Sequence, residues 1–365
     1  MKSNGLKFRQ HLRLIWAITW KDILDGWKNK TILANPVVDT LLIVFYKTLP
    51  SWENNPEVPS LLVYDAGNSS LVVALEDSTT VNLYQYDSQQ EMDRILARGS
   101  IPELGLVIPA DFDQALEAGK ALELDGYVVH WVSEEAAEEL KQMAEAEIAA
   151  LAGREVRINL EGNQVYTQAE STGLAFLASV SVIFSVAMLG LLVTPHLMIE
   201  EKRAKTIDVL LVSPASSSHV ITAKALAGLF YCLFAAGIAL AVNAAIVTQW
   251  WLAILATIGG ALFMVAIGLL LGNLIEVRQQ LGIWVFGLNF ILMIPVFLFI
   301  MKDLIPAGVL QVFALIPTVA LSKVLRVSFS NQSSLVSVGP ELALVFGVTF
   351  VLLLWLAWSV RRSDR

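Results

Sequence analysis

A short charged stretch between two long apolar runs decides the fold of this chain: Ile199-Glu-Glu-Lys-Arg-Ala-Lys-Thr-Ile-Asp-Val-Leu-Leu-Val-Ser-Pro214. The runs on either side, 172–199 and 220–247, are long enough for a transmembrane helix, which needs about 20 apolar residues. A charged segment held between two such helices must lie at one face of the membrane. Ile207, Leu210 and Leu211 recur within it at helical spacing, which predicts an amphipathic helix at that face.

This segment resembles the intracellular coupling segment of type-2 ABC transporter permeases, the family with the type V exporter fold. The resemblance rests on Glu-Glu-Lys-Arg-x-x-Thr-x-x-x-Leu-Leu-x-x-Pro at 200–214 and on Ser-Ser-Ser-x-x-Ile-x-x-Lys at 216–224. One position departs from the family pattern, because Lys205 stands where glycine is usual. The resemblance implies that segment 199–218 docks onto an ATPase subunit. The residues it assigns to this coupling contact are Glu200, Glu201, Arg203, Thr206, Ile207, Leu210, Leu211 and Pro214.

Composition independently predicts an α-helical polytopic membrane protein. The 365 residues are 56% hydrophobic, and the mean hydropathy is +0.62, well above that of an ordinary soluble domain. The apolar runs predict six transmembrane helices, at 32–50, 172–199, 220–247, 251–275, 281–301 and 342–360. The first is the least apolar, but Asn35 and Pro36 are typical of a helix start, and Asp39 would lie in the first turn.

The basic residues predict the orientation of these helices. With six spans, 15 of the 25 Lys and Arg fall on one side, in residues 1–31, in the central segment with Lys224, at Arg278 and in the tail 361–365. The positive-inside rule then places both termini in the cytoplasm. Residues 1–31 are rich in Trp, Lys and Arg, and they predict an amphipathic helix lying at the cytoplasmic interface. The expected location is a prokaryotic plasma membrane.

Residues 51–170 would then form one extracytoplasmic domain between the first and second spans. They hold 23 Asp and Glu against 6 Lys and Arg, a net charge of −17 within a chain whose total is −8. Runs rich in β-formers predict strands that alternate with helices at 88–98 and 133–152, the pattern of a small α/β domain. The predicted strands are 61–65, 81–86, 104–108, 125–131 and 155–160.

Motifs for catalysis or for a bound metal are missing from the sequence. It contains no phosphate-binding loop, no H-E-x-x-H, no G-x-S-x-G and no G-x-G-x-x-G. Acidic residues repeat at 134–139, but their helical spacing favours a solvated helix face over a calcium loop, and no metal site is predicted. The chain is therefore expected to be a transport subunit without its own ATPase site or cofactor. ATP and magnesium would be used by the partner.

The family resemblance also implies partners and a pathway. Two ABC ATPase subunits, a second permease copy (the same chain or a sister chain) and membrane lipids are expected, and nucleic acid is not. Asn289, Ser181 and Ser185 are candidates for lining the pathway, although polar residues in spans also serve as interhelical hydrogen-bond partners. Residues 304–330 are apolar but interrupted by Pro306 and Pro317, which predicts a re-entrant element on the outer side.

A second class of function fits the same topology. A membrane-anchored receptor or sensor would also carry an outer domain, which would bind its ligand. Such a receptor needs a signalling domain in the cytoplasm, and this chain offers only short basic segments there. The sequence therefore favours an exporter permease, with the receptor as the alternative. The identity of the substrate is left open.

Overall fold

The computed structural model describes residues 2–28, 37–38, 40–41, 44–45, 58–203, 217–275, 278–331 and 335–363. The chain starts with a long helix, α1 (Lys2–Lys28), and continues into a mixed α/β region over residues 58–165. A bundle of long apolar helices follows. Residues 166–173 join the α/β region to the bundle that follows it in the chain.

The α/β region is built on one sheet of six strands. Its elements are β1 (Ser60–Asp65), α2 (Ser70–Glu76), β2 (Asn82–Tyr86), α3 (Gln89–Leu96), β3 (Leu104–Ile108), α4 (Phe112–Glu117), β4 (Leu122–Val129), α5 (Glu134–Ala152), β5 (Val156–Asn159) and β6 (Gln164–Val165). The strand order is β2-β1-β3-β4-β5, with β6 beside β4. All neighbours are parallel except β3 and β4, which pair antiparallel through Leu106 and Gly126.

Local sequence explains where the two longer helices of this region begin and end. Ser88 precedes α3 and its hydroxyl accepts from the Glu91 amide, while Ser133 does the same for the Ala136 amide at the start of α5. α5 ends at Gly153, whose φ of 69° is the left-handed conformation that glycine adopts at low cost. The acidic residues at 134–139 lie on the exposed side of α5.

The bundle contains five helices long and apolar enough to cross a membrane, counted over the described residues. They are α6 (Leu174–Arg203), α7 (Ser217–Val242), α8 (Trp250–Leu274), α9 (Arg278–Leu298) and α12 (Leu335–Ser363). Each coincides with a span predicted from hydropathy, within a few residues at its ends. Most of the predicted first span, 32–50, lies outside the described residues, and the six residues described within it are helical.

The close packing of α6 and α8 depends on small residues. A Cβ on Gly268 of α8 would lie 2.3 Å from the Gly190 carbonyl oxygen of α6, and one on Gly272 would lie 2.7 Å from Cβ of Met198. Only glycine lets the two backbones approach so closely, as the spacing of the two glycines indicates. Gly272 therefore places the last turn of α8 beside Met198, near the end of α6 that leads into segment 199–218.

Between α9 and α12 the chain bends sharply. A 3₁₀ turn at Phe299–Leu304 leads into α10 (Ala307–Ala314) and α11 (Pro317–Ser328), and these two helices meet at 84°. None of α10 is buried, whereas nearly every residue of α11 is. An 84° bend fits either a broken span or a re-entrant loop. The re-entrant interpretation of 304–330 stays a prediction.

Several polar contacts hold the α/β region to the bundle. The Thr167 hydroxyl donates to the Phe329 carbonyl at 2.7 Å, and Nε2 of His130 donates to the Ile246 carbonyl at 3.2 Å. Nζ of Lys302 lies 2.6 Å from Oε2 of Glu170. The α/β region is therefore docked on the end of the bundle that carries the turn after α11 and the turn after α7.

This docking contact should weaken in acid through His130. Burial lowers the pKa of His130, backbone contacts with Ile246 and Val165 opposing that shift, and Nδ1 is buried with no hydrogen-bond partner among the described residues. An imidazole whose pKa is lower in the folded protein than in the unfolded chain binds a proton more readily after unfolding, so acid favours unfolding. Stability is therefore complete above the ordinary pKa of about 6.5 and falls as the pH drops below it.

We expect the thermal stability of the purified protein to fall between about pH 7.5 and 5.5 by more in wild type than in His130→Gln. The difference between the two proteins isolates His130 from the other three histidines. Thermal unfolding of both proteins at each pH provides the measurement. Identical losses of stability in both proteins would show that His130 does not sense pH.

Candidate coupling site

The helix α1 lies along the first turns of α7, next to the predicted coupling segment. One stripe of α1, formed by Ile15, Thr19, Asp22 and Gly26, is spaced for a single helix face and turns toward the bundle. The Thr19 hydroxyl is 3.3 Å from the Ala223 carbonyl of α7. Two further contacts join α1 and α7 closer to the C-terminal ends of both helices.

One of these is at the C-terminal end of α1. The Tyr231 hydroxyl of α7 donates to the Ile23 carbonyl at 2.5 Å, and a Cβ on Gly26 would fall 2.0 Å from that hydroxyl. Glycine at 26 therefore lets Tyr231 reach the α1 backbone. Another face of α1 carries Trp16, Trp20 and Trp27, each more than 40% exposed, and Trp27 also packs against Phe234 of α7. Tryptophans exposed beside basic residues fit the predicted interfacial position of this helix.

The centre of the α1–α7 contact is a buried ion cluster. Nζ of Lys224 lies 2.8 Å from Oδ2 of Asp22 and 3.3 Å from Oε1 of Glu201, which is at the end of α6. The three residues are 1%, 4% and 7% exposed, so the cluster is almost free of water. We call Asp22, Glu201 and Lys224 the ion cluster. It joins the consecutive helices α6 and α7 to α1, which is far from both in sequence.

The electrostatic balance of the ion cluster depends on Lys224. Burial raises the pKa of Asp22 and nearby Glu201 raises it further, while Lys224 lowers it. The carboxylates of Asp22 and Glu201 thus share one buried ammonium group. Nζ of the exposed Lys21 lies 3.9 Å from Oε1 of Glu201. A buried ion pair is stable when its partners satisfy each other, and it becomes costly when one partner is removed.

The ion cluster encloses the predicted coupling segment from both sides. Glu201 is two residues before the end of α6, and Lys224 is in the second turn of α7. Their contact therefore joins the two helices that flank the segment. The ion cluster therefore connects the described ends of α6 and α7 that flank this segment to α1.

The predicted coupling residues divide into those that the structure describes and those that it does not. Glu201 belongs to the ion cluster. Glu200 is exposed, with Oε1 at 3.3 Å from Nε2 of His196 one turn earlier. Arg203 is the last residue of α6. Thr206, Ile207, Leu210, Leu211 and Pro214 lie outside the described residues.

A second contact near the segment involves histidines. Nδ1 of His11 and Nε2 of His219 are 2.6 Å apart, and the two rings stack at 4.7 Å between centroids. His11 belongs to α1 and His219 to the first turn of α7, so this pair continues the α1–α7 contact toward the predicted coupling segment.

The predicted pathway residues are enclosed among the helices of the single chain. Asn289 is 7% exposed, and its Nδ2 is 3.4 Å from the Met188 sulfur of α6. Ser181 accepts from Asn243 at 3.2 Å, and Ser185 is 1% exposed. Asn243 at the end of α7 is thus an interhelical hydrogen-bond partner of Ser181 in α6.

Acidic groups elsewhere give no sign of a metal centre. Over the part of the chain that the structure describes, no group of three or more His, Cys, Asp or Glu side chains is arranged to hold a metal ion.

Asp22 belongs to the candidate site, but no sequence motif predicts it. Its signal was present, because a carboxylate in the stripe with Thr19 and Gly26 is out of place on a helix face that packs against an apolar span. Lys224 was recognised only as part of a motif. The role of a buried charge on one helix can be inferred only when its oppositely charged partner on the other helix is known. That pairing depends on tertiary packing, which the sequence does not show directly.

Five long apolar helices and a bent helix pair, counted over the described residues, define a polytopic membrane protein. A family model described as ABC-2 family transporter protein matches residues 39–359. The chain therefore belongs to the ABC-2 transporter family, whose members are transmembrane subunits without an ATPase domain and act with an ABC ATPase subunit. No curated protein matches the chain.

Proposed function

We propose that this chain is the permease subunit of an ATP-driven exporter in which segment 199–218 couples ATP hydrolysis by a partner to substrate movement. The observation that carries the proposal is the ion cluster, which ties both ends of the segment to α1. A push on the segment from an ATPase would reach α6 through Glu201, α7 through Lys224 and α1 through Asp22. The buried ion pairs make these three elements move as one.

The direction of transport and the arrangement in the membrane complete the proposal. Six spans with both termini in the cytoplasm place the segment where ATP is available, and they place the acidic α/β region outside the cell. Export follows from the resemblance to the type V exporters. Two ATPase subunits would drive two permease copies, and Asn289, Ser181 and Ser185 would approach the pathway once a second copy completes it.

The orientation can be tested by cysteine labelling in intact cells. The only native cysteine, Cys232, is buried, so Cys232→Ala gives a clean background. We expect Gln89→Cys, at the partly exposed first residue of α3, to react with a membrane-impermeant maleimide added outside. Lys205→Cys should react only after the cells are opened. Labelling of both positions in intact cells would refute the proposed orientation and, with it, access of the segment to ATP.

Self-association is a second expected result. Much of the apolar surface of α9 is exposed in the described part of the single chain, with Ile283, Phe286 and Ile291 each more than 60% exposed. An apolar face on a pathway-lining helix is suited to a second permease copy. We expect the permease to have the mass of a dimer in mild detergent, with itself or with a sister chain. A stable monomer in a preparation that transports would contradict this.

A further inference from the structure

A groove opens between the last turns of α8 and α12. Its volume is about 400 Å³, and its apolar walls are Leu270 and Leu274 of α8 and Trp355 of α12. Leu274 is 67% exposed and Trp355 is 53% exposed, so the groove opens outward from the bundle. Because Gly272 lies beside Met198 of α6, the groove is at the same membrane face as segment 199–218.

The polar end of the groove is arranged around one guanidinium group. Arg362 is exposed, and its Cζ is 5.5 Å from the centre of the Trp358 ring, a cation–π distance that orients the side chain. Arginines and tryptophans at the end of a span lie at the depth of the lipid headgroups. In sequence the final five residues hold three arginines and one aspartate, so this end of α12 carries net positive charge.

A hydrogen bond fixes the floor of the groove. Nδ2 of Asn273 in α8 donates to the Ser359 hydroxyl of α12 at 2.9 Å. The bond closes the space between the helices behind the apolar walls and holds the two walls at a set separation. The groove is therefore a built feature of the α8–α12 contact with a polar base, apolar sides and a cation at its rim.

We propose that this groove binds an anionic phospholipid. The acyl chain would lie against Leu270, Leu274 and Trp355, and the headgroup phosphate would pair with Arg362. Charge complementarity supports a lipid, because the rim is basic and the walls are apolar, the two requirements of an anionic headgroup and its chain. Only 17% of the most apolar window of α12 is buried, which leaves this helix facing its surroundings.

Such a site would make the permease sensitive to membrane composition. The groove is formed by α8, and α8 packs against the same end of α6 that carries Glu201 of the ion cluster. A lipid bound between α8 and α12 would brace α8 where it supports α6.

Native mass spectrometry of the full-length protein in mild detergent tests the proposal. The protein is titrated with phosphatidylglycerol and, separately, with phosphatidylcholine carrying the same acyl chains. We expect wild type to retain phosphatidylglycerol preferentially, and Arg362→Ala to weaken that binding by about fivefold, the effect of one basic residue near an anionic headgroup. Arg157→Ala, which removes an equal charge from the exposed face of β5, is the matched control and should leave lipid binding unchanged.

A second variant tests the groove itself. Ser359→Phe fills the space beside Asn273 and should reduce the retention of both lipids, whereas millimolar inorganic phosphate should displace neither. Unchanged preference for phosphatidylglycerol in Arg362→Ala would overturn the proposal. Loss of the dimer mass in Ser359→Phe with an unchanged lipid count would identify the groove as a protein interface and would equally overturn it. Displacement of the lipids by inorganic phosphate would also overturn the proposal, because the groove would then be a simple anion site.

Discussion

Replacement of Lys224 by methionine should destabilise the permease more than any other single change in the described part of the bundle. The substitution keeps the apolar stem but leaves Asp22 and Glu201 buried without their ammonium partner. Breaking a buried ion pair in this way costs about 3–5 kcal/mol. We therefore expect Lys224→Met to unfold at a markedly lower temperature in detergent and to lose its partner ATPase during purification.

The matched control for this change is Lys21→Met. Lys21 also approaches Glu201, but its side chain is 62% exposed, and exposed pairs contribute only about 0–1 kcal/mol. Its melting temperature should stay near that of wild type. The variant Asp22→Asn/Lys224→Met/Glu201→Gln removes all three charges, so it should be more stable than Lys224→Met alone. If neutralising the carboxylates recovers no stability, the cost of Lys224→Met has another origin than unpaired buried charge.

Aspartate at position 210 or 211 should release the ATPase. Leu210 and Leu211 form the apolar side of the predicted coupling helix, although they lie outside the described residues. Apolar anchors dominate small interfaces, and the loss of one costs at least about 2 kcal/mol, or roughly 30-fold in affinity. Leu210→Asp and Leu211→Asp should therefore purify with little ATPase, or with ATPase whose hydrolysis no longer responds to substrate.

Two milder variants sharpen this prediction. Lys205→Gly restores the family pattern and should be tolerated. Glu200→Gln removes an exposed charge at the end of α6, and its effect should be intermediate if that charge pairs with a basic residue of the ATPase. The ratio of ATPase to permease after affinity purification is the measurement for all four variants. Full retention and full substrate stimulation in both leucine variants would make 199–214 an ordinary loop.

The bundle was predictable because its signal is local. Five of the six apolar runs predicted to span a membrane are helices in the described part of the chain, and β3 begins and ends where the sequence predicts. β4 starts earlier than predicted, at Leu122, because its first residues pair with β5 through Leu124 and Ile158. That pairing depends on residues more than thirty positions away, which a local pattern does not contain.

The short elements were not predictable for a related reason. α2 and α4 have seven and six residues, too few for a helical period to be recognised in sequence. α2 makes the crossover that parallel strands need, leading from β1 to its parallel neighbour β2, whereas α4 joins the antiparallel strands β3 and β4. The ion cluster has the same character, since Asp22 and Lys224 are 202 positions apart and meet only through the packing of α1 on α7.

A site-specific crosslink between segment 199–218 and the ATPase tests the central claim most directly. In the Cys232→Ala background, Ile207→Cys in the permease is oxidised with single cysteines placed on the permease-facing surface of the ATPase subunit, in membranes that hydrolyse ATP. We predict a crosslinked permease–ATPase band for Ile207→Cys and none for the control Gln89→Cys. A fully active complex without a crosslink at 207, or with one at 89, would contradict the proposed coupling role of this segment.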